Sequence, residues 1–456
     1  MAVANKSVKN RPVFESRAFK PRPDGRVRGI DGTMWLFRTV PQGSIRDAKS
    51  VEEALNISTP LAIAFSELSA LATTRGINRQ MARKKYREFQ LLVTNYPKWY
   101  QAPKTSKIRG DLNRWFKDLQ VLDRRVMIGV PLVPTTGDGT FKGFIQSVEQ
   151  TLFDGGGVLE SDFDKDFAQV AAAMDRAGLG TPTPEDWAAA DGWWNLGDPR
   201  PIGFVPHPEH IHMFSRSTSW QEAEDEGLED CDPWADLPDH RAITFASLHQ
   251  FDLGYTPVSE PTSWWAADLL NMGARVISVR GFIEPPTITQ QELKSTRRKV
   301  RHDLEEGYQK GKDQARREER EAEITQIEAQ YDMGKQNMPP TIVDMSVIVG
   351  LAGIYNDDEA IRVNSATLHI MSNRQLQAWH ETMICSNVRG NPNLHDVPAT
   401  TLAYSGVSNL TRVGDPDGAF LGLTHDLQPA YLNPTAASAG DAAPLLLVSA
   451  ATGAGK

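Results

Sequence analysis

The chain is poor in cysteine, with two in 456 residues, Cys231 and Cys385. They stand far apart and in no metal-like spacing. That excludes a disulfide framework and fits a reducing compartment. Long hydrophobic runs are also missing. The best candidate, residues 341–355, is shorter than the roughly 20 residues a helix needs to cross a bilayer, and it carries Asp344. Residues 1–20 are basic but hold no apolar core, so they do not read as a secretory signal. Excess positive charge is absent too. The net charge of −9 argues against a surface built wholly to hold nucleic acid, while leaving room for a local basic patch. The expected location is cytoplasmic, at most peripheral at the inner face of the cell membrane.

What is present suits a globular α/β protein of more than one domain. Hydrophobic residues make up 40% and charged residues 23% of the chain. Residues 1–28 read as a flexible basic lead-in. Residues 29–288 read as an α+β domain. Strands are expected at Met34–Val40, Phe89–Thr94, Arg125–Val133, Ala242–Phe251 and Ala274–Ile283, each rich in branched or aromatic residues and closed by turn formers. Leu61–Thr73 is apolar without a deciding period. Helical spacing marks Phe163–Ala177, with Asp162 as a cap. Arg79–Arg87 is a basic run that reads as a solvated helix face.

Residues 289–338 form a charged helical arm, its clearest helix running from Thr289 to Tyr331. Alternating signs such as Arg316, Arg317, Glu318 and Glu319 suit i,i+4 pairing, and its apolar stripe is narrow. Residues 339–400 continue the α/β region, with strands at Thr341–Ala352 and Ala366–Met371. A helix is expected over Asn373–Val388, where Leu376, Trp379, His380, Met383 and Ile384 share a face. No internal repeat is legible.

Residues 401–456 change character and read as the start of a RecA-like P-loop domain. Two short apolar runs, 419–424 and 429–433, flank a polar turn and predict a β-hairpin. Beyond a small-residue linker, Pro444–Val448 reads as a buried strand. It leads into Ser449 and then Ala450, Ala451, Thr452, Gly453, Ala454, Gly455 and Lys456. Strand, small-residue loop and Gly-Lys is the layout of a Walker A loop. Small residues let backbone N–H groups curl around phosphate oxygens, and the lysine supplies a mobile cation for the β- and γ-phosphates of ATP. Ala450 stands where the first glycine is usual. The hydroxyl that would hold Mg²⁺ and the acid of a Walker B strand are not among these residues.

With these features the chain resembles the large conjugation ATPases of type IV secretion, the TraC/VirB-four type, its actinobacterial members above all. The resemblance rests on Trp35-Leu-Phe37, the charged arm, strand 342–350 with helix 373–388, hairpin 418–424, and the segment 445–456. Only the last is a sharp motif. The resemblance implies an N-terminal α/β domain docked on inner-membrane secretion components. It also implies a RecA-like motor that uses ATP with Mg²⁺, and self-association, in many members as a hexamer. Gly453, Gly455 and Lys456 carry over as phosphate-binding residues. A chain ending between the lysine and its hydroxyl partner suits the leading extein of an intein-interrupted gene, or simply a gene fragment. Such a piece is not expected to hydrolyse ATP.

Two other classes stay open. One is a non-catalytic assembly subunit of a secretion or phage-like complex. The other is a DNA-pumping ATPase of the HerA/FtsK kind, with nucleic acid as direct substrate. Elsewhere, His207, Glu209, His210 and His212 offer zinc-type donors, but Pro208 breaks helical spacing and no second ligand group matches, so core or surface histidines are the expectation. Trp193-Trp194 and Trp264-Trp265 are expected to put one ring of each doublet in the core. Gly155–Gly157 reads as a turn.

Overall fold

The computed structural model describes residues 18, 20–44, 50–71, 86–102, 109–117, 119–134, 160–190, 192–193, 202–215, 242–251, 264–285, 341–355, 361–363, 366–410, 418–423 and 429–433. In chain order the strands are β1 (Arg26–Arg28), β2 (Met34–Thr39), β3 (Gly43–Ser44), β4 (Arg87–Trp99), β5 (Gln120–Pro131), β6 (Ile202–Pro206), β7 (Ile211–Ser215) and β8 (Ala242–Phe251). They continue with β9 (Ala274–Ile283), β10 (Ile342–Ala352), β11 (Ile361–Val363), β12 (Ala366–Ile370), β13 (His395–Pro398), β14 (Asn409–Leu410), β15 (Ala419–Leu423) and β16 (Pro429–Leu432). The helices are α1 (Val51–Asn56), α2 (Thr59–Ala70), α3 (Arg109–Trp115), α4 (Asp164–Arg176), α5 (Pro184–Ala190), α6 (Trp265–Asn271), α7 (Gln375–Thr382) and α8 (Ala399–Ala403).

A 12-stranded sheet dominates, its main path running β1-β2-β5-β4-β9-β10-β8-β12-β11. Each neighbouring pair on that path is antiparallel. Alternation along each strand sorts side chains to two faces. In β2, Met34 and Leu36 join Leu61, Phe65 and Leu68 of α2, Val170 and Met174 of α4, Leu269 of α6 and Leu402 of α8. Trp35 and Phe37 turn to the other face, where Ala190 of α5, Trp193, and Ala378 and Trp379 of α7 cover the sheet. The result is three layers, helix–sheet–helix. A mixed α and β protein was expected, and the sheet is antiparallel.

The path conceals a duplication. With β3, α1 and α3 set aside, the series β2–α2–β4–β5 and β8–α6–β9–β10 have the same order of elements among the described residues. In space they lie as β2-β5-β4 and β9-β10-β8, so an approximate two-fold axis passes between β4 and β9. Both helices pack on the same face, as such an axis requires. No repeat is legible in the sequence because what recurs is burial pattern and connectivity. The two central hairpins also carry unequal connections, residues 100–119 and 284–341.

Several expectations change. Leu61–Thr73 resolves as helix α2. Asp162 does not cap α4; it lies in a 3₁₀ turn, Glu160–Phe163, and Phe163 holds the N-cap position without a side-chain cap bond. Helix α7 stops at Thr382 rather than Val388. The boundary at residue 401 falls inside the sheet's own core, because Leu402, Ala403 and Val407 are buried there. β14 also pairs with β3 near the start of the chain. The arm 289–338, the basic residues 79–85, Gly155–Gly157 and the RecA-like segment beyond residue 433 lie outside the described residues.

Candidate functional site

The phosphate-loop residues Ala450, Ala451, Thr452, Gly453, Ala454, Gly455 and Lys456 lie outside the described residues, as does the strand expected at 444–448. What is described is the hairpin just before them and the surface it docks on. β15 and β16 pair antiparallel, the hairpin that two short apolar runs across a polar turn predict. Phe420 of β15 meets Tyr100 and Phe116, with ring centroids 4.7 and 4.9 Å away. Tyr431 of β16 lies 5.8 Å from Phe420, and Tyr100 lies 5.7 Å from Phe116. These rings form a satellite core with Ala102, Leu112 and Val121. Burial raises the Tyr100 phenol above its ordinary pKa, and the neighbouring Tyr431 hydroxyl adds to the shift.

That core sits at the end of a ribbon. β4 pairs with β9 only as far as Thr94, yet β4 and β5 stay paired out to Trp99 and Gln120. β2 covers β5 only from Met127 to Pro131. Among the described residues, 95–99 and 120–124 therefore pair as strands with one another alone, an overhang of about 17 Å at 3.4 Å per residue. Arg124 and Asn95 anchor its base: Arg124 Nη1 donates to the Asn409 carbonyl at 3.0 Å, and Asn95 Nδ2 to that of Ala274 at 2.8 Å.

A buried polar belt crosses the opposite sheet face, and the sequence reading missed it. Gln90, Arg280 and Ser346 are aligned across β4, β9 and β10. Arg280 is fully buried. It donates to the carbonyls of Met383, at 2.6 Å, and Ser386, and to Gln90 Oε1 at 3.1 Å. Gln90 Nε2 reaches Ser278 Oγ at 3.2 Å and the Thr382 carbonyl at 3.3 Å. These donors take the carbonyls at the end of α7, which is why the helix unwinds there. Cys385, buried within the unwound turn, adopts φ 57°. Burial lowers the Arg280 pKa to about 10 against the opposing pull of Glu381 and Cys385. The sequence signal was an arginine between Val279 and Gly281 in a strand that also carries Arg275 and Ser278.

The histidines gather in the turn between β6 and β7. The His207 and His210 rings stack at 4.3 Å, and His210 meets His212 edge-on at 4.6 Å. Among the described residues, no group of three or more His, Cys, Asp or Glu is arranged to hold a metal ion. A second stacked pair, His249 and His369 at 3.9 Å, joins β8 to β12. Trp193 and Trp265 are fully buried, while Trp264 is half-buried. Trp194 and Cys231 lie outside the described residues.

No protein-family model matches the chain, and no curated protein is similar to it in sequence. The class shown is a mixed helix and antiparallel-sheet protein. Among the described residues no helix is long and apolar enough to cross a membrane.

Proposed function

We propose that this chain is the front part of a P-loop ATPase powering conjugative DNA transfer or type IV secretion. One observation carries the reading: an apolar run, Pro444–Val448, leads directly into a loop of small residues closing on Gly455-Lys456. In that reading Gly453 and Gly455 free the backbone to approach phosphate, and the Lys456 ammonium neutralises the β- and γ-phosphates of ATP. Mg²⁺ bound with the nucleotide would supply charge neutralisation at the transferred phosphoryl group. The RecA-like motor belongs to the parent. The described body is the assembly platform, serving inner-membrane secretion components and self-association.

The test uses two polypeptides, the 456-residue chain and the chain continued by the codons after Lys456. The continued form is expected to hydrolyse ATP and to lose that activity on Lys456→Ala, by about a hundredfold or more as for loss of a main transition-state contact. The 456-residue chain is expected to show none. Absence of nucleotide binding in the continued form, with Lys456→Ala changing nothing, overturns the reading. That outcome favours a non-catalytic assembly subunit, a rival supported by the exposed Trp99, Trp115 and Leu421 around the hairpin. A HerA/FtsK-like pump predicts salt-sensitive DNA binding by the continued form.

A further inference from the structure

The charge of the ribbon connection runs against that of the whole chain. Among the side chains described in residues 98–118, the basic Arg109, Arg114 and Lys117 stand against the acidic Asp111, in a chain of net charge −9. The same stretch carries Trp99 and Trp115, which are 47% and 65% exposed. Leu421, on the hairpin docked there, is 62% exposed. Each of the three is the chain neighbour of a satellite-core ring: Trp99 of Tyr100, Trp115 of Phe116 and Leu421 of Phe420. Packing those rings together fixes the outward side chains around one ribbon end. Arg114 is also well exposed, its contact with Asp111 a loose 3.7 Å.

We propose that this ribbon end adsorbs to an anionic lipid surface. Tryptophan suits the bilayer interface because its ring is apolar and its N–H keeps water contact. Leucine contributes apolar area to the same layer. Lysine and arginine close by are drawn to anionic headgroups, an attraction that fades beyond a Debye length. The exposed Trp99, Trp115, Leu421 and Arg114 at this ribbon end can meet a flat surface together. Nucleic acid fits less well. Single strands are held in basic grooves on rows of stacking rings, and an exposed aliphatic Leu421 offers no such face. The inference rests on the proposed service to inner-membrane secretion components and deepens it by naming the lipid surface beside them. It involves no nucleotide, so its failure and that of the ATPase reading are separable.

The experiment is co-sedimentation of the 456-residue chain with sucrose-loaded vesicles, without nucleotide. One set is phosphatidylcholine alone, the other phosphatidylcholine with about 30% phosphatidylglycerol, an anionic fraction sufficient for a negative surface potential. The expected result is at least about tenfold stronger binding to the anionic set, weakening as salt is raised. Trp99→Ser with Trp115→Ser, and separately Arg114→Glu with Lys117→Glu, are each expected to lower it about tenfold, since interfacial affinity sums apolar and electrostatic parts. Unchanged thermal unfolding is the control for folding. Trp115→Ser alone, at the most exposed of these positions, is the fallback if the double variant unfolds. Equal binding to both vesicle sets overturns the proposal, as does no sedimentation of the unaltered chain. Capture of a single-stranded oligonucleotide through these same residues, with vesicles left unbound, overturns it too.

Discussion

The Arg87 guanidinium grips the Asp166 carboxylate through two parallel hydrogen bonds, Nη2 to Oδ1 at 2.8 Å and Nη1 to Oδ2 at 3.0 Å. Both side chains are more than nine-tenths buried. Asp166 Oδ2 also accepts the Val133 N–H at 2.9 Å, so one carboxylate ties α4 to the start of β4 and the end of β5. Removing one partner strands a buried charge, which costs about 3–5 kcal/mol. Asp166→Asn is therefore expected to lower unfolding free energy by about 3 kcal/mol in urea titration. Arg87→Met with Asp166→Leu is expected to lose less than Asp166→Asn alone. A double variant less stable than the single one contradicts this account.

Arg280 predicts a pH dependence. Its folded pKa is lowered to about 10 by burial, so the folded state binds this proton less tightly than the unfolded chain does. The resulting penalty is full below pH 10 and fades as pH rises above it. In Arg280→Met that titration is gone. Compared between pH 8 and pH 11, the stability difference is expected to shift towards the unaltered protein by about 1 kcal/mol. At pH 8 the variant still loses stability, because the Met383 and Ser386 carbonyls lose their donor. Denaturant titrations at the two pH values measure both effects. A pH-independent difference shows that the guanidinium does not titrate as stated.

Phe420 joins the hairpin to the ribbon through three rings. Phe420→Ala is expected to cost about 2 kcal/mol, less than a fully buried phenylalanine because this side chain is only partly covered. The loss should be local. Hydrogen exchange is expected to quicken in residues 418–433 while β9 and β10 keep their protection. Equal loosening of the central strands places the hairpin within the main cooperative unit and refutes a satellite role.

Gly281 lies where β9 runs against β10. A Cβ added there meets the backbone carbonyl of Asp344, which cannot give way as a flexible side chain would. Gly281→Ala is expected to cost about 3 kcal/mol through strand displacement. Gly110→Ala, where a Cβ meets nothing, is the control and should be near neutral. Thermal melts of the two proteins side by side give the comparison.

Local signals were legible wherever one face of a strand repeats every second residue. The strand expected over 274–283 is β9 to the residue, and the expected 341–352 strand differs from β10 only by Thr341. Helix 373–388 was read too long because its apolar spacing continues past Thr382. What ends it is a pair of donors on β4 and β9, far away in sequence. The Trp265 ring went to the core and Trp264 stayed at its edge, as a doublet across an amphipathic start requires. The tight grouping of His207, His210 and His212 was visible as spacing, but their stacking depended on the β6–β7 turn.

By itself the sequence determined the strands whose alternation is strong, β9 and β10 above all, and which of their side chains face inwards, because these follow from short-range periodicity and from burial of apolar area. It also carries the Gly-Lys loop at its end. Only the tertiary structure decided that β4 lies beside β9, making a two-fold of two unlike halves. It likewise decided that Arg280 is enclosed and that β4 and β5 run on past their pairing with β9 and β2 to a ribbon end bearing Trp99. Each of those depends on which distant strand supplies the missing backbone partners, and a strand's own alternation says which face is apolar without naming the neighbour that will pair with it.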